Sequence, residues 1–252
     1  MGKKARRKAL EASRRERQYI DCACLIHDTL YDWDYVNRLF NALVRNLTPA
    51  VKMHVYTEAN RHVPSPYVHH HLEEWPGIRG PKQSWWYKIQ LFNSQHHQGD
   101  MLYFDLDTVI TGNIDWIWRN DPDTFHAARD FKHLFRPRRT TINSSVMWFN
   151  VPKYNYVYQQ FDPEHVRTHK ARYHGDQDYI DATIPDDNRK FLDFTKIKSY
   201  KWEVAEGGFD FSKRKPKQPG TPTILDDISV LVFHGNPKPA KVSDPVVHEH
   251  WR

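Results

Sequence analysis

A single α/β domain is the fold this chain of 252 residues predicts, and three observations carry that reading. A strand, a helix and a second strand follow one another between residues 19 and 57, the opening of a βαβ unit. A strongly apolar strand, Met101–Asp105, then delivers Asp105 and Asp107 at its C-terminal end, where the sheets of α/β domains present a ligand site. Strands continue to alternate with helices to about residue 120, which favours one mixed domain over separate α and β units.

Tyr19–His27 (YIDCACLIH) reads as a buried strand. Cys22 and Cys24, two apart, point to one face of it, too few for a zinc site or a disulfide framework, and read as small core residues of a reducing compartment. Within Asp32–Leu47, Trp33, Val36, Leu39, Phe40, Leu43, Val44 and Leu47 form a helical stripe. Val51–Thr57 is the next strand. Residues 61–83, rich in His, Pro and Gly, read as an irregular loop, with His69–His71 as surface histidines because neighbours in extended chain point opposite ways. A helix over Ser84–Asn93 leads through Gly99-Asp100 into the strand Met101–Asp105. Thr124–Arg129, Ser145–Asn150 and Val230–Phe233 read as strands, Pro152–Phe161 as a helix, and Lys201–Thr223 as a mobile loop or lid.

The net charge of +6 is a property of one end. Residues 1–18 hold eight Lys/Arg against two Glu, so residues 19–252 are neutral and form the expected domain, with 1–18 as a basic extension. Such an extension can meet nucleic acid, meet an anionic membrane surface, or serve as a solvated helical arm. A duplex-binding groove would carry basic residues in the fold itself; Arg136, Arg138 and Arg139 are the candidates. Without a transmembrane-length apolar run or a leader pattern, the expected location is cytoplasmic. Nine Trp and thirteen Tyr exceed what a core needs, so some are expected along a polar groove.

The chemistry concentrates in MLYFDLDTVITGNID, Met101–Asp115. Asp105 and Asp107, at i and i+2, face the same way; side by side they repel, and a hard divalent cation removes that penalty and can bridge a diphosphate leaving group. Asp-x-Asp after an apolar strand has a second owner, the haloacid-dehalogenase type of phosphatase, with Asp105 as nucleophile and Asp226-Asp227 as late acidic pair. A third reading is a non-catalytic nucleic-acid-binding protein.

Five ordered segments resemble the nucleotide-sugar glycosyltransferases of the GT-A fold, most closely the family 8 group that includes glycogenin and bacterial galactosyltransferases. They are SWWYKIQLF, YFDLDT with the following Thr111–Asp115, INSSVMWFN, HGDQDYI and VFHGNPKP, and the likeness runs from Tyr19 to about Pro239. It implies a Rossmann-like domain with a mixed, mostly parallel central sheet. It also implies a metal held by Asp105, Asp107 and His234, with Mn²⁺ or Mg²⁺ as the cation. Lys88, Asp105, Asn143, Gly235 and Lys238 would face the nucleotide-sugar donor, expected to be a UDP-sugar. Asp176 and Gln177 would lie near the anomeric carbon. The implied acceptor is a glycan, a lipid-linked sugar or a modified nucleic acid, and the implied stereochemistry is retention. Two departures stand out: Ser145 replaces the glycine of the third motif, and the last motif is shortened, with His234 and Gly235 adjacent and no Trp after Pro239.

Overall fold

The computed structural model describes residues 17–78, 83–165, 172–205, 209–210, 215–216 and 227–252. Residues 1–16 of the basic extension, most of the expected lid and Asp226 lie outside these.

The main sheet has seven strands: β1 (Tyr19–Leu25), β2 (Ala50–Thr57), β3 (Val68–His71), β4 (Asp100–Phe104), β6 (Phe125–Arg129), β7 (Ile142–Asn150) and β8 (Arg189–Phe191), in the order β3-β2-β1-β4-β7-β6-β8. β5 (Thr108–Ile110), β9 (Ile197–Ser199) and β12 (Val230–Val232) form a second sheet, order β5-β12-β9, and β10 (Phe209–Asp210) pairs with β11 (Lys215–Pro216). In the main sheet only β7 runs against its neighbours β4 and β6, so the sheet is mixed and mostly parallel, as expected. That reversal sets the start of β7 beside the end of β4, with Phe104 opposite Val146.

Each face of the sheet is dry. Ile20, Cys22 and Cys24 of β1 pack on one face against Val36, Leu39 and Leu43 of α1 (Trp33–Asn46). Burial pushes both thiols far above their ordinary range, so they act as core atoms. Asp32 starts α1 by accepting from the backbone N–H groups of Asp34 and Tyr35. The other face carries the segment Ser84–Phe92, where Trp86, Tyr87, Ile89 and Phe92 pack against Met101, Tyr103 and Phe149. The helix expected here is of the 3₁₀ type. Seven of its nine residues are apolar or aromatic side chains or fully buried Gln90, so it is sunk in the core, not amphipathic on it.

Four further expectations change. Val68–His71 is not irregular: it adds to the sheet edge parallel to β2. In consequence His70 is half-buried, stacked on Tyr56 at 4.6 Å, while His69 and His71 stack on each other at 4.1 Å. The expected helix over Pro152–Phe161 is two short turns, α3 (Val151–Tyr154) and α4 (Tyr156–Gln159). Within the expected lid, Lys201–Val204 belong to a π-helix, Tyr200–Val204, started by the Ser199 hydroxyl accepting from the Trp202 N–H. β7 begins at Ile142, three residues earlier than expected.

The loop after β1 is fixed by a buried-carboxylate clamp. Asp28 has φ +59°, a conformation costly for a non-glycine residue. Its N–H donates to Glu58 Oε1 at 2.5 Å, and Arg61 donates both to the Asp28 carbonyl at 2.6 Å and to Glu58 Oε2 at 2.8 Å. Burial alone would raise the Glu58 carboxyl, but the bonds from Arg61, Thr57 and Asp28 outweigh it and bring its pKa to about 2. Its carboxylate therefore stabilises the fold fully above the ordinary value of 4.5 and loses that contribution as pH falls toward 2. Glu58→Gln should lower stability by ~1–3 kcal/mol in urea denaturation at neutral pH. The gap between variant and parent should close as the buffer is acidified through the range in which the parent's carboxylate protonates.

Candidate functional site

The loop that Glu58 holds, the end of β4 and the start of β7 open together into a cavity of about 600 Å³. All nine side chains or backbone positions nominated from the sequence line it: Lys88, Asp105, Asp107, Asn143, Asp176, Gln177, His234, Gly235 and Lys238.

Asp105 continues the face of β4 that carries Tyr103, and its N–H donates to the Ser145 carbonyl on β7 at 2.8 Å. Lys88, only 6% exposed, reaches it from the 3₁₀ helix: Nζ lies 2.9 Å from Asp105 Oδ1, 3.2 Å from Asp176 Oδ2 and 3.1 Å from Ser144 Oγ. Ser144 donates in turn to Asp176 Oδ2 at 2.7 Å, and Tyr103 donates to Asp105 Oδ1 at 2.7 Å. Burial works against the Lys88 charge, yet the two carboxylates hold its pKa above the ordinary value. Burial would likewise raise Asp105, but Lys88 beside it brings the carboxyl below its usual range.

Asp107 is held differently. Its carbonyl accepts from the Phe233 N–H at 3.2 Å, tying the turn after β4 to the end of β12. Its Oδ2 accepts from Lys238 Nζ at 2.5 Å and from the Tyr31 hydroxyl at 2.9 Å. Burial and the adjacent Asp105 charge push this carboxyl above its ordinary value despite Lys238. His234 follows β12, with Nε2 2.7 Å from Ser199 Oγ and its ring stacked on Phe131. Burial, then the nearby Lys201 charge, lowers it to about 3, so the imidazole is neutral at ordinary pH. Gly235 has φ +74°, a backbone conformation that calls for glycine.

At the far wall, Asn143 Nδ2 donates to Gln177 Oε1 at 3.1 Å while its Oδ1 accepts from the Ser145 N–H. The pairing of β6 on β7 jumps from Ala127↔Met147 to Ala128↔Asn143, a bulge that takes residues 144–146 out of that ladder and beside the cavity. Ser145, at the position where the resembled motif has glycine, accepts from the Asp105 N–H through its carbonyl, and its side chain helps to hold the Asp105 carboxyl below its usual range. Asp176 opens the helix α5 (Asp176–Thr183), and its carboxylate is turned to Lys88 and Ser144.

The sequence reading missed Tyr31, Trp85 and Ser144 as cavity residues. Trp85 and Ser144 sat inside the motifs SWWYKIQLF and INSSVMWFN, but strand alternation would set Ser144 opposite Asn143 and only the bulge brings both to the cavity; Tyr31 carries no motif. For the phosphatase reading of Asp105, the late acidic pair gives no support: Asp227 is exposed and is not among the lining residues. Of the basic surface candidates, Arg139 is taken up by Asp130 at 2.5 Å.

Asp105, Asp107 and His234 offer two carboxylates and a neutral imidazole, donor types that suit a divalent cation, and all three line the cavity, but their donor atoms do not all lie within 4.8 Å of one another in this structure. Lys238 supplies the positive charge at Asp107 in this structure, and Ser199 engages His234 Nε2.

No family model matches the sequence, and no curated protein matches it. The fold, by contrast, is that of glycosyltransferases of the GT-A type. The chain is similar to the crystal structure of an active-site mutant of LgtC, with TM-score 0.59 and 16% identity over 90% of this chain and 91% of that one. It is similar also to the glycosyltransferase GlyE of Streptococcus pneumoniae TIGR4, with TM-score 0.61 and 12% identity over 92% of this chain. The bifunctional glycosyltransferase WbbM gives TM-score 0.57 and 11% identity over 88%. The chain spans 60% of the GlyE chain and 47% of the WbbM chain. Among the described residues no helix is long and apolar enough to cross a membrane.

Lys88→Met should leave the Asp105 and Asp176 carboxylates buried without a counter-charge and cost ~3–5 kcal/mol of stability at neutral pH. The loss should shrink in mildly acidic buffer, where one carboxyl takes a proton, and a denaturation series against pH reads this directly.

Proposed function

We propose that this protein is a metal-dependent glycosyltransferase that moves a sugar from a nucleoside-diphosphate donor, a UDP-sugar, to an acceptor hydroxyl. The observation that carries the reading is the meeting of nine nominated residues, drawn from separate segments between Lys88 and Lys238, in one cavity on a glycosyltransferase fold.

In this reading Asp105, Asp107 and His234 would hold a Mn²⁺ or Mg²⁺ ion, which would supply Lewis-acid charge to the donor diphosphate. Lys238, which lies on Asp107 in this structure, is the cation placed to bind the diphosphate, and Gly235 leaves its backbone open beside it. Asn143 and Gln177, already bonded to each other, orient donor sugar hydroxyls. Asp176 sits near the anomeric carbon, where its charge favours an oxocarbenium-like centre as the bond to the diphosphate breaks. Lys88 Nζ, 3.2 Å from Asp176 Oδ2, fixes the position of that carboxylate. The new bond forms to the acceptor oxygen, whose proton leaves on the departing phosphate, and the anomeric configuration is retained. Trp85 and Tyr31 at the mouth offer ring faces to a sugar or a base.

The test is calorimetric titration of UDP and GDP, with and without Mn²⁺, on the parent chain and on Asp107→Ala. UDP should bind in a metal-dependent way, with affinity falling at least ~10-fold in the variant, a loss of about 1.4 kcal/mol. Absence of any nucleoside-diphosphate binding under every metal condition would sink the reading.

A further inference from the structure

Away from the cavity, three metal-ligating side chains converge on the sheet face that carries the 3₁₀ helix. We propose that Asp21, His54 and His97 form a second cation site, for a divalent transition metal of the zinc class. Among the described residues they are the one group of three whose donor atoms all lie within 4.8 Å of one another. None of the three lines the cavity. Asp21 shares a face of β1 with the cavity residue Leu25 but lies four residues before it, ~13 Å at the rise of a strand.

The site follows from the parallel register of β1 and β2, which sets Ala23 opposite His54 and brings the Asp21 side chain alongside it. His54 Nε2 lies 2.7 Å from Asp21 Oδ1, and His54 Nδ1 lies 2.8 Å from His70 Nε2 on the edge strand β3. His54 Nδ1–H donating to His70 leaves Nε2 as the ligating atom, the outer contact by which a metal-bound imidazole has its tautomer set. His97 arrives from the loop before β4. Its Nε2 faces the Asp100 carbonyl at 3.2 Å, so the proton sits there and Nδ1 keeps a lone pair. Gly99 makes this placement possible, since a Cβ at that position would stand 3.0 Å from His97 Nε2. The His54 and His97 rings meet at 5.0 Å and 69°.

An Asp–His hydrogen bond alone is common and needs no third member; His97 is what turns the pair into a ligand set. Two imidazole nitrogens and one carboxylate oxygen suit zinc with a fourth position left to water. His54 is 3% exposed and the Asp21 side chain 18%, so the donors are ordered yet reachable. Lys52 Nζ, 3.9 Å from Asp21 Oδ1 on a half-exposed side chain, offsets the carboxylate charge when no cation is bound. A bound cation ties the loop at residues 93–99 to β1 and β2, and so fixes the entry to β4 at the end opposite Asp105.

The experiment uses the full chain, stripped with a chelator and titrated with Zn²⁺ against a chromophoric competitor, with Co²⁺ absorption reporting the ligand geometry. The Asp107→Ala background removes one of the cavity's two carboxylate ligands and so weakens that site. One equivalent of Zn²⁺ should still bind in this background and raise the melting temperature. His97→Ala, in a loop that leaves the strands intact, should abolish both effects, as should Asp21→Asn; His70→Ala should weaken binding ~10–100-fold. Tight binding that His97→Ala leaves unchanged assigns the ion to other histidines, His69 and His71 among them, and overturns the proposal. So does a folded chain that binds no Zn²⁺. No readout involves a nucleotide or sugar transfer, so the outcome is independent of the proposed activity.

Discussion

The ammonium of Lys88 is the charge around which the cavity is arranged. Two carboxylates from distant parts of the chain, Asp105 and Asp176, approach the same buried nitrogen within 3.2 Å. Carboxylates brought together where water is largely excluded repel, and the cation between them offsets that cost. Ser144 and Tyr103 complete the cluster by donating to the remaining carboxylate lone pairs. The arrangement spans a 3₁₀ helix, two strands and the start of α5, and it couples the turn after β4 to the far wall.

Against that background the two aspartates of the Asp-x-Asp pair are unequal. Asp105 is compensated from within the core, and its carboxyl sits below the ordinary range. Asp107 is compensated from the surface side by Lys238, a residue after β12, and its carboxyl sits above it. The two carboxylates thus answer to different lysines, Lys88 with 8% of its side chain exposed and Lys238 with 21%, so the partner of Asp107 can move toward solvent without dismantling the core.

Much of this was legible in the sequence, for identifiable reasons. β1, α1, β2 and β4 are long, apolar and periodic, and strand alternation alone sets Asp105 and Asp107 on one side. The order of five short segments was enough to nominate residues that the fold brings into one cavity. What escaped was governed by partners far along the chain. Val68–His71 has three consecutive histidines and no apolar pattern, and it is a strand because β2 offers an open edge. β5, β8 and β9 are three residues each, too short to show a period. Tyr31 lies in a loop, and its link to Asp107 spans 76 positions of sequence. Lys88 was recognisable as a basic residue near a donor site, but its bridging of Asp105 and Asp176 exists only in three dimensions.

The second sheet carries a consequence for how the molecule comes into being. β12 is its central strand, flanked by β5 and β9, and it is the last strand in the chain. Until residues 230–232 have been synthesised, β5 and β9 have no common neighbour, and the turn holding Asp107 lacks its anchor at Phe233. A nascent chain can therefore assemble most of the large sheet while the cavity is still missing a wall. Closure of the cavity thus waits on a strand far along the chain from the turn that it anchors.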